Sequence, residues 1–308
     1  MKELSKIALG CDSRTFHDGG DITPLMDICL REGVNVFDTA RGYGHSERVL
    51  GEYIRAHGNR EDYYVISKGC LPLPFSRLNV RALKKDLETS LKTLNIGYID
   101  MYLLHRDDHR ADLEGILKVL NEYRLAGKIR GYGGSNWKKE RVEKANEIAK
   151  ANGYEPFTGV SNNFSLVPWE KDPWGGGDGC VCVSGDEAML SYLKEQRIPN
   201  FAYSPLGRGF LTGRVKSMDP SSFHVLVASA KRAYLSEANL ARLARIEEIA
   251  KRLNLSVSDL AIAYICNHPT KTIPVIGTTS PVRLEQNIGA SKIVLDEETM
   301  KELMAIAK

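Results

Sequence analysis

The sequence predicts a single α/β domain, residues 1–308, built as a (β/α)8 TIM barrel. Three observations predict it. Eight short, nearly all-apolar runs recur along the chain. Amphipathic stretches of helical period separate them. Ionisable residues close several of the runs at their C-terminal ends. Strands without polar alternation are buried on both faces, which calls for a parallel sheet covered by helices. Eight strand-then-helix units favour closure of that sheet. An open doubly wound sheet is the structural competitor. It wants G-x-G-x-x-G directly after an early strand, and CDSRTFHDGG after the first run lacks that spacing.

The strands expected, in order, are 6–10, 34–40, 63–69, 98–105, 129–136, 157–162, 201–207 and 272–277. Between the third and fourth, Leu83, Leu87, Leu91 and Leu94 recur at spacings of four, four and three, one face of a helix. Asn79 is its expected N-cap. Leu113, Leu117 and Leu120 form a second stripe that ends at Gly127. Further helices are expected at about 138–152, 185–197 and 238–253. Another opens at Ser256, with Asp259 three residues on in a capping-box pattern. Two stretches break the rhythm: an irregular insertion at 168–184 and a long connection at 207–237. Long ordered loops in compact domains are usually functional.

Composition narrows the function classes. Hydrophobic residues make up 43% and charged residues 26%, the balance of an ordinary globular chain. A net charge of +3, with no stripe of Lys and Arg, argues against nucleic acid as a partner. No apolar segment reaches membrane-span length, and the N-terminal MKELSKIALG has no signal-like apolar core, so a cytoplasmic protein is expected. The six cysteines match no disulfide framework and read as reduced thiols. Oligomeric state is left open.

The chemistry sits at strand ends. Asp38 closes VNVF, Lys68 closes YYVIS, and His105 closes MYLL, while Tyr43 follows Asp38 by five residues. In a barrel those ends converge on the face that carries active sites. Buried charges are costly alone, so Asp38 and Lys68 are expected to pair. An ammonium about 4 Å from a phenol favours the phenolate by roughly 4 kcal/mol at an effective dielectric of about 20. The Tyr43 pKa is therefore expected to fall toward neutrality by about 3 units at most, making it a general acid.

These residues resemble the aldo-keto reductase superfamily. FDTARGYGHSERVLG (37–51), VISKG (65–69) and YLLHRDD (102–108) are similar to the family's catalytic stretches. The likeness continues through GGSNW (133–137), YSPLGRGFLTG (203–213) and IPVIGTTSPVRLEQNIGA (273–290), covering nearly the whole chain in order. It implies a tetrad of Asp38, Tyr43, Lys68 and His105, and NADP(H) as cofactor, with NAD(H) the lesser choice. Tyr43 would protonate a small-molecule carbonyl substrate, and His105 would orient it. The resemblance assigns Ser135, Asn136 and Ser161 to the nicotinamide amide and Tyr203 to the nicotinamide ring. Ser204, Leu206 and Gly207 would pass the pyrophosphate. Gly277, Thr278 and Thr279 lead to a helix whose cap is Ser280, with Pro281 at its first position. A helix N-terminus attracts phosphate, and Arg283 in that turn would hold a 2′-phosphate or stack on adenine. Gln286 and Asn287 resemble the adenine-binding pair.

The pattern departs from the family in four places. Ser161, beside Asn162, stands where a Gln is usual, and Gln286 stands where Glu is common. Only MKELS precedes the first strand, so the N-terminal hairpin is expected to be truncated. The chain stops soon after DEETMKELMAIAK, so a short C-terminal tail is expected to leave the substrate site open, or closed by 168–184 or a partner subunit.

Several features are set aside. A metal site of Cys180, Cys182 and His224 is not expected from one C-x-C. Gly175–Gly177 reads as a loop more readily than as a phosphate cradle. Trp137 is expected in rim packing, whereas Trp169 and Trp174 could contact substrate or cofactor. The competing functions are a cofactor-binding regulatory subunit with little turnover, and a barrel hydrolase or lyase, which would need paired rim carboxylates or a metal cluster.

Overall fold

The computed structural model describes residues 3–72, 77–175 and 179–307. The strands are β1 (Ala8–Gly10), β2 (Val36–Asp38), β3 (Tyr64–Gly69), β4 (Ile99–Leu104), β5 (Ile129–Ser135), β6 (Gly159–Ser161), β7 (Asn200–Ala202) and β8 (Thr272–Ile276). They follow one another in sequence order as a closed barrel, the expected fold class. The helices are α1 (Arg14–His17), α2 (Thr23–Arg31), α3 (Ser46–Ala56), α4 (Val80–Leu94), α5 (Leu113–Leu125) and α6 (Lys139–Ala151). Then come α7 (Glu187–Glu195), α8 (Ala228–Tyr234), α9 (Glu237–Arg252), α10 (Val257–Cys266), α11 (Pro281–Ser291) and α12 (Glu297–Ile306). Among the described residues no strand precedes Ala8.

The chain packs as two compact units, Met1–Ser161 with Gly277–Leu284, and Asn162–Ile276 with Glu285–Lys308. In the first, parallel pairing sets Gly10 beside Asp38, Asp38 beside Ile66, Lys68 beside Leu103 and Ser135 beside Ser161. That register brings the C-terminal ends of β1 to β6 to one rim. Gly133 is required there, because a Cβ would sit inside the Gly159 carbonyl of the next strand. In the second unit, β7 pairs with β8 through Asn200–Thr272 and Ala202–Pro274.

Helices form where their apolar faces and caps say they should. Leu83, Leu87 and Leu94 of α4 and Leu117 and Leu120 of α5 are fully buried. Each such side chain stabilises the fold by about 1.5–3 kcal/mol. Asn79 accepts a hydrogen bond from Ala82 N at 2.9 Å, and Ser256 accepts one from Asp259 N at 3.0 Å, as the caps predict. Gly127 follows α5 in the left-handed region at φ 68°.

One expectation is corrected in detail. The seventh strand ends at Ala202 instead of running to 207. Ser204 turns into the left-handed region (φ 52°), Pro205 follows, and a 3-10 turn spans Gly207–Gly209. The long connection 207–237 holds a 3-10 helix at Pro220–Val225 and α8. Of Gly175–Gly177, the glycines 176 and 177 lie outside the described residues.

Candidate active site

The site grows from the ends of β2, β3 and β4. Asp38 is the last residue of β2, and Lys68 is the last but one of β3. Residues 67 and 68 point to opposite faces of their strand. The Lys68 ammonium donates to Asp38 Oδ1 at 2.6 Å and to the Thr39 carbonyl at 3.0 Å. Lys68 is 3% exposed and Asp38 5%, so the expected pair forms in near-complete burial.

Tyr43 stands in the loop between β2 and α3, half-buried, with its ring centroid 5.1 Å from the Lys68 ammonium. His105 follows β4 directly and meets the Tyr43 ring edge-on, centroids 5.7 Å apart. The structure thus brings the four sequence-predicted residues together within one unit.

The electrostatics depart from expectation at one point. The Tyr43 pKa is pushed up to about 12 instead of down toward neutrality. Desolvation of the phenolate is the largest cause; the Lys68 ammonium pulls the other way, and Asp38 and Asp12 offset part of that pull. The Coulombic expectation omitted burial, which outweighs one partly neutralised ammonium. Burial also works against the Lys68 charge, but Asp38, Tyr43 and the Asp38 hydrogen bond outweigh it and raise the Lys68 pKa. Burial raises the Asp38 carboxyl, and Lys68 draws it back. Burial, then Lys68 and Arg106, hold the His105 pKa well below the usual imidazole range, so the ring is neutral at pH 7. Two buried atoms here have no partner among the described residues, His105 Nδ1 and Asp38 Oδ2.

A second cluster adjoins His105. Ser135 Oγ donates to the Ser161 carbonyl at 2.9 Å, and Asn136 N donates to the same carbonyl at 3.1 Å. Asn136 Nδ2 reaches Ser135 Oγ at 3.0 Å and the His105 carbonyl at 3.4 Å. All three residues are buried. Asn136 and Cys70 hold left-handed conformations at the ends of β5 and β3. Such strain in non-glycine residues clusters at functional sites.

At the end of β8, Gly277, Thr278, Thr279 and Ser280 lead into α11. Thr278 Oγ1 accepts from Ser280 N at 3.0 Å, and Ser280 Oγ accepts from Arg283 N at 3.4 Å, the expected cap. Arg283 is exposed in that first turn, and Gln286 and Asn287 follow on the same helix.

The second unit holds the remaining predicted residues. Tyr203 and Ser204 are half-buried after β7, and Ser204 O, Leu206 O and Gly207 O each accept backbone N–H bonds in the turn that follows. The Tyr203 ring lies 6.3 Å from Trp169 and 6.1 Å from Trp174, and the Arg208 guanidinium lies 4.9 Å over Trp174. Trp137, in the first unit, is fully buried against Phe157 at 5.2 Å, in keeping with rim packing. Among the described residues no group of three or more His, Cys, Asp or Glu could hold a metal ion.

Sequence reasoning missed Thr39, whose carbonyl holds Lys68, and the pair Ser46 and Glu47 behind the Tyr43 loop. A serine and a glutamate opening a helix read as ordinary cap and dipole residues. Only their burial, 0% and 2% exposed, sets them apart.

The strand ends of this parallel barrel thus gather a buried carboxylate–ammonium pair, a phenol and a neutral imidazole. The profile of the aldo/keto reductase family matches residues 20–308, and the chain belongs to that family. It is therefore an oxidoreductase of a family that works with nicotinamide cofactors on small carbonyl compounds. It is 30% identical over 271 residues to the aldo-keto reductase yakc [NADP(+)] of Schizosaccharomyces pombe, covering 85% of this chain and 74% of that protein. It is 27% identical to the aldo-keto reductase YhdN of Bacillus subtilis, covering 99% of this chain and 90% of that one. The fold matches the crystal structure of a thermostable aldo-keto reductase with the inhibitor epalrestat at a TM-score of 0.73 and 23% identity, over 99% of this chain and 96% of that one.

Proposed function

We propose that the protein uses NADPH to reduce the carbonyl of a small aldehyde, ketone or sugar, with Tyr43 as the proton donor. The observation that carries this reading is the Asp38–Lys68 pair at 2.6 Å, buried beside Tyr43 and a neutral His105. The bound nicotinamide supplies a hydride. Every other demand of the reaction falls on the chain.

Tyr43, with a pKa of about 12, stays protonated throughout the physiological range and so holds the proton that the carbonyl oxygen needs. Lys68 is the opposing influence that lowers the cost of giving it up, and Asp38 keeps Lys68 charged at this depth. A neutral His105 keeps one ring nitrogen as donor and one as acceptor, and its unpartnered Nδ1 leaves polar capacity in the site. It would orient the carbonyl without competing for the proton.

Taken unit by unit, the donors suit separate parts of the cofactor. Ser135, Asn136 and Ser161 gather amide and hydroxyl groups beside His105, suited to a carboxamide. Tyr203 offers a half-exposed ring for the nicotinamide, and Ser204, Leu206 and Gly207 a turn for the pyrophosphate. The capped start of α11, with Gly277, Thr278 and Thr279 before it and an exposed Arg283, suits a 2′-phosphate and supports NADPH over NADH. Gln286 and Asn287 are assigned to the adenine. The family match spans both compact units, which supports residues 1–308 acting as one enzyme domain. Six free cysteines support a cytoplasmic setting, and no described helix is long and apolar enough to cross a membrane.

The test is loss of reduced-nicotinamide absorbance with a panel of small aldehydes, ketones and aldoses. Turnover of at least one class is expected. Tight cofactor binding without turnover of any would instead favour a regulatory subunit.

A further inference from the structure

We infer that Glu47 is a positioning residue for proton transfer, tying the Tyr43 loop to the strand that carries Lys68. The inference rests on the reading of Tyr43 and Lys68 as the proton-donating pair.

Glu47 lies in the first turn of α3, 2% exposed. The described residues give it no ion-pair partner; its Oε1 accepts from Ser67 Oγ at 2.6 Å. Ser67 itself is fully buried. Burial raises the Glu47 carboxyl, the Ser67 and Ser90 hydroxyls oppose that, and Arg41 opposes it more weakly. An unpaired buried carboxyl is costly, and an apolar side chain of similar size would fill the same space. Packing alone does not call for a carboxylate there.

The reason lies in where the contact closes. Ser67 and Lys68 are neighbours in β3, so one faces the helices and the other the barrel interior. Lys68 holds the start of the loop through the Thr39 carbonyl at 3.0 Å. Ser67 holds its end through Glu47. In between, Tyr43 O accepts from Ser46 N at 3.0 Å, Ser46 Oγ donates to the Cys11 carbonyl at 2.7 Å, and Thr39 Oγ1 lies 2.8 Å from Ser46 Oγ. The backbone adds Arg41 N to the Lys68 carbonyl at 2.8 Å. Two adjacent residues of one strand therefore close residues 39–47 into a ring with Tyr43 on it. Releasing the Glu47 end frees Tyr43 to drift from Lys68, and a displacement of about 1 Å costs about a hundredfold in rate.

The test measures kcat and KM with NADPH and a reduced carbonyl for wild type, Glu47→Gln, Glu47→Ala, Ser67→Ala and the Glu47→Ala/Ser67→Ala double variant. Glu47→Ala and Ser67→Ala are expected to lower kcat about tenfold or more, with KM for NADPH changed less than about twofold. The double variant should be no worse than Glu47→Ala, because both break one contact. Glu47→Gln keeps the acceptor and should stay near wild type. Losses that multiply, or a folded Glu47→Ala with wild-type kcat, overturn the inference. If Glu47→Ala does not fold, Ser67→Ala decides: unchanged kcat overturns it. Wild-type turnover that survives Tyr43→Phe defeats the underlying reading, whereas a Tyr43-dependent enzyme indifferent to Ser67→Ala defeats only this inference.

Discussion

Replacing Asp38 with Asn removes one charge from the most buried ion pair at the site while keeping its shape and one acceptor oxygen. The pair is separated by 2.6 Å, with side chains 8% and 3% exposed. At an effective dielectric of about 20, two unit charges that close attract by about 6 kcal/mol. Desolvation takes back much of this, and breaking a buried pair from one side costs about 3–5 kcal/mol in net stability. The Asn oxygen still accepts from the ammonium, so the lower end, about 3 kcal/mol, is expected. At about 2.1 cal/mol/K per residue, a chain of this length loses roughly 5 °C in Tm. The second effect is chemical. Without Asp38, burial dominates at Lys68, and its pKa drops instead of rising. The ammonium is then partly lost at neutral pH, and with it the main influence that opposes the high Tyr43 pKa. Urea unfolding gives the stability, and kcat against pH gives the chemistry, with activity expected to fall at neutral pH and recover in part toward acid. A variant as stable as wild type, with an unchanged pH profile, would show that Asp38 does not hold the Lys68 charge.

Two further outcomes follow from the same electrostatics. The His105 pKa is lowered by folding, so the folded state resists its protonation and the unfolded state does not. Stability is therefore lost as pH falls below the unfolded value of about 6.5. His105→Gln should lose less over that interval in parallel urea titrations; His268, also depressed by burial, to about 4, is common to both proteins and cancels. Arg283→Ala should weaken NADPH binding about tenfold or more and leave NADH within about twofold, since a charge-assisted contact is worth about 1.5–3 kcal/mol. Equilibrium titration with both cofactors checks this, and equal losses for the two would remove Arg283 from the 2′-phosphate.

Much of the fold was legible because burial on both faces leaves a plain mark. MYLL carries no polar alternation, and an ionisable residue closing such a run stands out. The placing of Asp38 and Lys68 on neighbouring strands follows from strand order alone. What was not legible depends on solvent exclusion or on local backbone. The direction of the Tyr43 shift is decided by desolvation, which no spacing reveals. The end of β7 is decided by Ser204 turning to φ 52°, in a segment whose composition reads as strand. Helices of four to seven residues, α1 and α8, complete too few turns to show a period. Glu47 reads as a surface carboxylate at a helix start and proves to be buried.

Delivery of the proton by the Tyr43 hydroxyl is decided by the turnover of Tyr43→Phe at saturating NADPH, with cofactor affinity measured on the same preparation. A kcat about 10²–10⁴-fold below wild type is expected, with NADPH bound as before. Turnover within a few fold of wild type would rule Tyr43 out as the donor.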